Sequence, residues 1–246
     1  MKRSLWGLAP VLGGLFLWEA LVRAGLTSGP FLPPPSQVGE VLWNLLKSGE
    51  LPEAFFRSSV RVLVGFAAGS VAGLALGILM GIKDLLRRTL GPLLALLYPI
   101  PALGWLPLLM LWIGVNELLP MAVVFICSFF PVLYNTMTGI RQVDRELIAA
   151  ARVLGASPWR ILREVVLPQA VPTIFTGLRL EAGMAWRVII AAEMVAIPTG
   201  IGALMMKAES LMRVDIIIVC LGVLAAVCFL FERAFSLMEG RLTRWK

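Results

Sequence analysis

The sequence predicts an all-α integral membrane protein with six transmembrane helices. Of its 246 residues, 59% are hydrophobic and only 15% are charged, whereas a soluble domain carries about 25% charged residues. Long apolar runs alternate with short segments in which Lys and Arg cluster, the arrangement typical of cytoplasmic loops. Because the basic residues occur in such loops, the net charge of +7 does not indicate nucleic-acid binding.

Six apolar segments are long enough to cross roughly 30 Å of hydrocarbon, which takes about 20 residues. They are residues 5–22, 58–82, 90–114, 118–140, 172–198 and 214–235. The first resembles a signal peptide, but it lacks an A-x-A cleavage site and is followed by Glu19 and Arg23, so we interpret it as a retained span. Most of the 22 Lys and Arg residues fall on the side of the two chain ends, which predicts that both ends are cytoplasmic.

The connection between the first two spans is long and contains its own helix. Residues 33–35 are three prolines and favour an extended segment. We expect Ser36 to cap a short helix that continues through Leu46, because its apolar positions recur at helical spacing. This helix is predicted to lie at the outer membrane interface and not to form a seventh span.

The second span carries a glycine at every fourth position: Gly65, Gly69, Gly73, Gly77 and Gly81. Helices in lipid associate through close contact of small residues, since hydrophobicity does not drive them together. The stripe therefore predicts a tight packing surface against another helix. The alternative is that it reflects only the general abundance of glycine in membrane helices.

Prolines interrupt the third span at positions 92, 99, 101 and 107. Each removes a backbone donor and disturbs the preceding turn. Irregular backbone at membrane depth is tolerated only where protein or a water-filled cavity covers it. Pro99 and Pro101 are therefore candidates for lining a translocation pathway, and a kinked structural helix remains an equal alternative.

Five charged residues fall within or near the spans: Arg61, Arg179, Glu181, Arg187 and Glu193. Charges at this depth usually face protein or water. For Arg61 and Arg179 we expect ion pairs or contact with the interface. Arg187 lies deeper and is a candidate contact for a translocated anion, and Glu193 is a candidate for the pathway or for a structural ion pair.

The polar loop at residues 141–168 contains two predicted helices. The first covers residues 146–154 and ends at Gly155, which tolerates positive φ. Ser157 is expected to cap the second, which begins at the following proline. We expect Pro168 to close this unit and to return the chain to the bilayer.

The loop resembles the EAA loop of binding-protein-dependent ABC importer permeases. The matching positions are Ala149, Ala150, Ala151, Gly155, Leu167 and Pro168. Val165 replaces the usual Ile, and Ala149 stands where the family commonly has Glu; whether Glu146, one turn earlier, supplies that charge is open. The resemblance implies that this loop, with Ala156 and Ser157, docks in a cleft of a cytoplasmic ATPase.

Other segments resemble the nitrate/sulfonate/taurine/bicarbonate branch of these permeases: residues 31–35, 59–65, 98–101, 106–114 and 192–193. The resemblance implies a type I importer permease fold in the plasma (inner) membrane of a bacterium or archaeon. It also implies a homodimer in contact with membrane lipid, two ABC ATPase subunits and an extracytoplasmic substrate-binding protein. The solute would be a small oxyanion of undetermined identity.

The sequence gives little support to an enzyme. It contains no histidine, no G-x-S-x-G run and no phosphate-binding G-x-x-x-x-G-K-[ST] loop. Its three cysteines have no C-x-x-C spacing, which argues against a metal site. We therefore expect no cofactor in this chain, with ATP and Mg bound by the partner ATPase. A secondary transporter is the alternative, although it typically shows paired broken helices, and the proline run has no second copy.

Overall fold

A computed structural model describes residues 2–25 and 31–242, which contain helices and no strand. The α-helices are α1 (Lys2–Arg23), α2 (Pro35–Lys47), α3 (Glu50–Ile82), α4 (Asp84–Leu97), α5 (Leu106–Ile113), α6 (Leu118–Arg141), α7 (Arg145–Val153), α8 (Pro158–Ile161), α9 (Leu167–Ala196), α10 (Ile201–Ser210) and α11 (Val214–Leu242). A 3-10 turn, Ala102–Trp105, precedes α5, and a π-type turn, Leu162–Val166, joins α8 to α9.

Three helices, α3, α6 and α11, are each long and apolar enough to cross a membrane. Two further spans are possible if bent pairs are counted: α4 with residues 102–113, bent by 86°, and the helix at residues 158–196 with α10, bent by 51°. These five elements fall on the second to sixth predicted spans. The helix α1 covers the first, so the all-α membrane fold is confirmed.

The five glycines of α3 all face α6. A Cβ atom at Gly65 or at Gly73 would lie 2.6 Å from a backbone carbonyl oxygen of α6, and one at Gly77 would lie 2.7 Å from another. Real Cβ atoms essentially never approach other heavy atoms within 3.0 Å. The two backbones are therefore in direct contact from Gly65 to Gly77, and at Gly81 the nearest atoms of α6 belong to the Ile140 side chain. The helix α6 also packs on α9, which packs on α11.

The helix between the first two spans begins differently from the prediction. It starts at Pro35, and Ser36 does not cap it. Instead, Ser36 donates from its backbone N–H and its hydroxyl to the carboxylate of Glu19 in α1, at 3.0 and 2.8 Å. The carboxylate of Glu19, and not the hydroxyl of Ser36, thus supplies the side-chain acceptor at the start of this helix. The helix packs against α3 and α11 with Leu45 buried.

The loop after α6 matches the sequence pattern. Asp144 caps α7 by accepting the N–H of Glu146 at 2.8 Å, and Gly155 has a φ of +80°. Ser157 caps α8, as predicted, by accepting the N–H of Arg160 at 3.3 Å. The loop unit ends beside Pro168, as expected, because the long helix α9 begins at Leu167 and Pro168 lies in its first turn. Pro168 has no N–H to donate to a regular α-helix. The π-type turn just before it changes the hydrogen-bond pattern at that point of the helix.

Candidate translocation pathway and coupling loop

Glu193 lies inside the bundle at its end opposite to the loop at residues 141–166. Its side chain is 0% exposed and accepts a charged hydrogen bond from Arg61 of α3 at 2.7 Å. The hydroxyl of Ser58 lies 2.8 Å from both carboxylate oxygens, and the N–H of Gly202 donates to one of them at 3.0 Å. Both oxygens are therefore satisfied by protein groups.

Arg61 joins this carboxylate to a second one. Its Nε and Nη2 atoms donate to Glu117, which directly precedes α6, at 2.6 and 2.8 Å. Its remaining hydrogen bonds go to the carbonyl and hydroxyl of Thr199, at 2.8 and 2.6 Å. We call this set the charge network: Ser58, Arg61, Glu117, Glu193 and Thr199. It ties α3, the start of α6, α9 and the turn before α10 together.

The two carboxylates of the charge network differ in environment. Glu117 is 57% exposed, whereas Arg61 is 1% exposed and Glu193 is fully buried. The Arg61 guanidinium holds the pKa of Glu117 below its usual range by hydrogen bonding to the carboxylate. The network therefore has a buried half, which is closed to solvent, and an accessible half at Glu117.

Two glycines allow the chain to close around Glu193. Gly200 has a φ of +106°, which L side chains rarely adopt, and a Cβ there would collide with the carboxyl group of Glu193. A Cβ at Gly202 would collide with the carbonyl of Ile190 in α9. The turn between α9 and α10 is thus built from residues that let its backbone reach the buried carboxylate.

Sequence reasoning found only part of the charge network. Arg61 was expected to form an ion pair, and Glu193 was a pathway candidate, but Ser58, Glu117 and Thr199 were missed. Ser58 and Arg61 are three residues apart on α3 and so share a face, which is a detectable signal. Glu117 and Thr199 are 56 and 138 residues from Arg61 and carry no local signal.

The other pathway candidates lie apart from Glu193. Arg187 is exposed on α9, where its Nη1 lies 3.6 Å from the sulfur of Met184. No carboxylate among the described residues lies within salt-bridge distance of it. Pro99 and Pro101 are exposed at the 86° bend after α4. Arg179 pairs with Glu239 of α11 at 3.3 Å, in line with its expected ion pairing.

One face of the loop at residues 141–166 packs against the rest of the chain, and the other face exposes apolar side chains. Ile148, Ala151 and Ala156 pack against a buried cluster that includes Ile140 and Ile161. The opposite side exposes large apolar residues that have no cover within the described chain: Val153, Leu154 and Trp159 are 88%, 85% and 70% exposed. We call these three residues the apolar knob. Ala149, Ala150, Gly155 and Ser157 are also exposed beside it.

A bundle of apolar helices with bent spans and an exposed apolar projection at one end is the architecture of a membrane protein with a docking surface outside the bilayer. The chain belongs to the family described as the binding-protein-dependent transport system inner membrane component, whose model matches residues 69–244. It is therefore a permease subunit of an ABC importer, a transport protein and not an enzyme, with the ATPase in a separate subunit. Permeases of this family work with an ATPase and a substrate-binding protein.

Relatives are similar over nearly the whole chain. The taurine transport system permease protein TauC of Escherichia coli (strain K12) is 33% identical over 94% of this chain and 86% of that protein. The putative aliphatic sulfonates transport permease protein SsuC of Bacillus subtilis (strain 168) is also 33% identical, over 94% and 83%. The bicarbonate transport system permease protein CmpB of a Synechocystis strain is 32% identical, over 93% and 85%.

Solved structures share the fold at lower identity. The methionine ABC transporter MetNI, in an inward facing conformation, superposes with a TM-score of 0.65 and 17% identity, covering 76% of this chain and 94% of that one. An amino acid ABC transporter gives a TM-score of 0.63 and 19% identity, covering 83% and 98%. The arrangement of helices is thus that of ABC importer permeases.

Proposed function

We propose that this chain forms the translocation path for a small sulfonate or a related oxyanion. It works as a homodimer with two ATPase subunits and an extracytoplasmic binding protein, and both chain ends are cytoplasmic. The apolar knob is the observation that carries the proposal. Large apolar side chains that project into water mark a protein interface, and a permease without its own phosphate-binding loop needs a partner that supplies energy.

The knob residues belong to the segment that resembles the EAA loop. In this proposal Ala149 and Ala150 keep the exposed side of α7 free of large side chains, Ala151 packs against the buried cluster, and Gly155 turns the chain into α8. Ala156, Ser157, Leu167 and Pro168 set the direction of α8 and α9. Because α9 continues directly from α8, a displacement of the docked loop moves the long helix that carries Arg187 and Glu193.

Alternating access follows from this connection. The charge network holds α3, α6 and α9 together at the outer end, whereas the loop end moves with the ATPases. The bend at Pro99 and Pro101 contributes to the pathway, because its irregular backbone requires cover by protein or water. Arg187, which has no carboxylate partner among the described residues, offsets the charge of an anion during passage.

Uptake by the reconstituted complex tests this function. The complex with its ATPase and binding protein in liposomes is expected to import taurine, an alkanesulfonate or bicarbonate only with ATP. Arg187→Met is expected to lower uptake about tenfold or more while assembly persists, since it removes a charge-assisted hydrogen bond. Arg187→Lys retains the charge and is expected to keep part of the activity. Normal uptake by an assembled Arg187→Met complex would contradict the role of Arg187 in the pathway.

A further inference from the structure

A small polar cavity lies between α9 and α11, and no residue of the charge network or of the apolar knob lines it. Its volume is about 230 Å³. The lining combines two arginines, a glutamate, a serine and an aromatic ring: Arg179, Arg233, Glu232, Ser236 and Phe229. The first of these belongs to α9 and the other four to α11, so the packing of these two helices forms the cavity. Groups of both charges therefore face one shared space.

The two arginines of the cavity have unused hydrogen-bond donors. Arg179 donates from Nη1 to Glu239 at 3.3 Å, whereas its Nε is buried and has no hydrogen-bond partner. Arg233 is exposed, and no carboxylate among the described residues lies within salt-bridge distance of it. A buried donor without a partner is destabilising. An acceptor that enters the cavity would relieve this cost at Arg179 and pair the charge of Arg233.

The cavity lies at the depth of lipid headgroups. The ion pair of Arg213 with Asp215, at the start of α11, marks the end of that helix at one membrane boundary. Arg233 follows Asp215 by 18 residues, which is ~27 Å along an α-helix and close to the thickness of the hydrocarbon layer. Phe229 and Leu230 are exposed beside the cavity. The polar lining is therefore level with the opposite boundary and borders an apolar surface that faces acyl chains.

We propose that this cavity binds the phosphoethanolamine headgroup of a membrane phospholipid. Arg179, Arg233 and the hydroxyl of Ser236 donate to the phosphate oxygens, because the planar guanidinium group matches phosphate geometry. The carboxylate of Glu232 accepts hydrogen bonds from the ammonium group. The acyl chains leave the cavity past Phe229 and into the bilayer.

The charges of the lining identify the headgroup. Basic pockets between transmembrane helices are known sites for lipid phosphates, but a purely anionic headgroup would leave Glu232 facing a second negative charge. A phosphoethanolamine group offers each charged side chain an opposite charge. Because its phosphate contacts arginines of both helices, the bound lipid holds α9 against α11. The site is independent of the transported solute and goes beyond the proposed function.

Lipid binding to the purified permease–ATPase complex tests the inference. The complex is stripped of lipid in detergent and titrated with phosphatidylethanolamine or phosphatidylglycerol of the same acyl chains, and native mass spectrometry counts the bound molecules. Wild type is expected to bind phosphatidylethanolamine about tenfold more tightly, since only this lipid supplies a charged donor to Glu232. Glu232→Gln is expected to remove that preference.

Loss of an arginine tests the phosphate contact. Arg233→Met is expected to weaken both lipids about tenfold through loss of charge-assisted hydrogen bonds. Arg233 is the better choice than Arg179, whose pairing with Glu239 also holds the helices together. Arg241→Met, about two turns further along α11, and Glu209→Gln, in α10, change exposed residues outside the cavity. Both controls are expected to bind lipid like wild type.

Free phosphoethanolamine separates a lipid site from a site for a soluble phosphate compound. It lacks acyl chains and is expected not to displace the bound lipid. Displacement would assign the cavity to a soluble ligand and overturn the inference.

Four other results would also overturn it. They are absence of bound lipid, as when a second copy of the chain covers this face; equal or reversed affinity of wild type for the two lipids; unchanged binding by Arg233→Met; and an equal loss in Arg241→Met, which would indicate only general attraction to basic residues. The proposed function is tested separately, by uptake of the solute.

Discussion

The two ends of the helix bundle are stabilised in opposite ways. At one end, the charge network buries an arginine and a glutamate and satisfies them through residues far apart in the sequence. At the other end, the loop at residues 141–166 consists of short helices with local caps and leaves the apolar knob exposed. The first end is complete within the chain, whereas the second requires a partner. Such a difference suits a transport subunit in which one end of the bundle stays assembled while a partner protein displaces the other end.

Removal of Arg61 is expected to have the largest effect on stability. Arg61→Met leaves Glu193 buried without a cation, and loss of one partner of a buried ion pair costs about 3–5 kcal/mol. The thermal melting temperature of the purified complex measures the effect. Arg57→Met, which breaks an exposed pair with Glu53 one turn earlier, is the control and is expected to cost under about 1 kcal/mol. Equal melting of the two variants would contradict a structural role for the network.

The glycine stripe is expected to give the next largest effect. Gly73→Leu places a side chain against the backbone of α6, and overpacking of this kind typically costs about 1–3 kcal/mol. Gly222→Leu, in α11, has no atom within 4 Å of its ideal Cβ and serves as the control. Of these two variants, only Gly73→Leu is expected to lower the melting temperature. An unchanged value for Gly73→Leu would contradict close packing of α3 on α6.

The smallest effect is expected at the accessible half of the network. Glu117→Gln removes an ion pair with one exposed partner, which is worth about 0.2–1 kcal/mol and is weakened by salt. Because Arg61 lowers the pKa of Glu117, this stabilisation is present above the ordinary pKa of a glutamate and is lost as the pH falls through the lowered value. Melting of variant and wild type is therefore expected to differ at pH 7 and to converge in acid. A constant difference at all pH values would show that the carboxylate charge is not the cause.

The same contrast explains which features were predictable from the sequence. The glycine stripe, the Ser157 cap and the turn at Gly155 depend on spacing within one segment, and the structure shows each of them where the pattern indicated. The contacts of Arg61 with Glu117 and Thr199 depend on how distant segments meet, for which one sequence carries no signal. Serine is a residue type that commonly caps helices, so the sequence predicted a cap at Ser36. In the structure the carboxylate of Glu19 from α1 supplies the acceptor instead.

Pro168 shows a different limit of sequence reasoning. The pattern predicted that the loop unit closes at Pro168, and α9 begins beside it, at Leu167. The preceding π-type turn places the irregularity before the proline, so that α8 and α9 form one continuous element. That continuity is the physical connection between the apolar knob and the membrane, and the sequence pattern indicated only where the loop unit closes.

Coupling between the loop and transport is the central claim, and ATPase activity of the assembled complex in liposomes tests it most directly. Gly155→Leu forces a side chain onto a residue at positive φ and is expected to change the direction of the apolar knob. Gly240→Leu, near the end of α11 with no atom within 4 Å of its ideal Cβ, is the matched control. Gly155→Leu is expected to insert into the membrane but to lose substrate-stimulated ATPase activity, whereas Gly240→Leu is expected to retain it. Normal stimulation in Gly155→Leu would contradict the assignment of this loop as the coupling site.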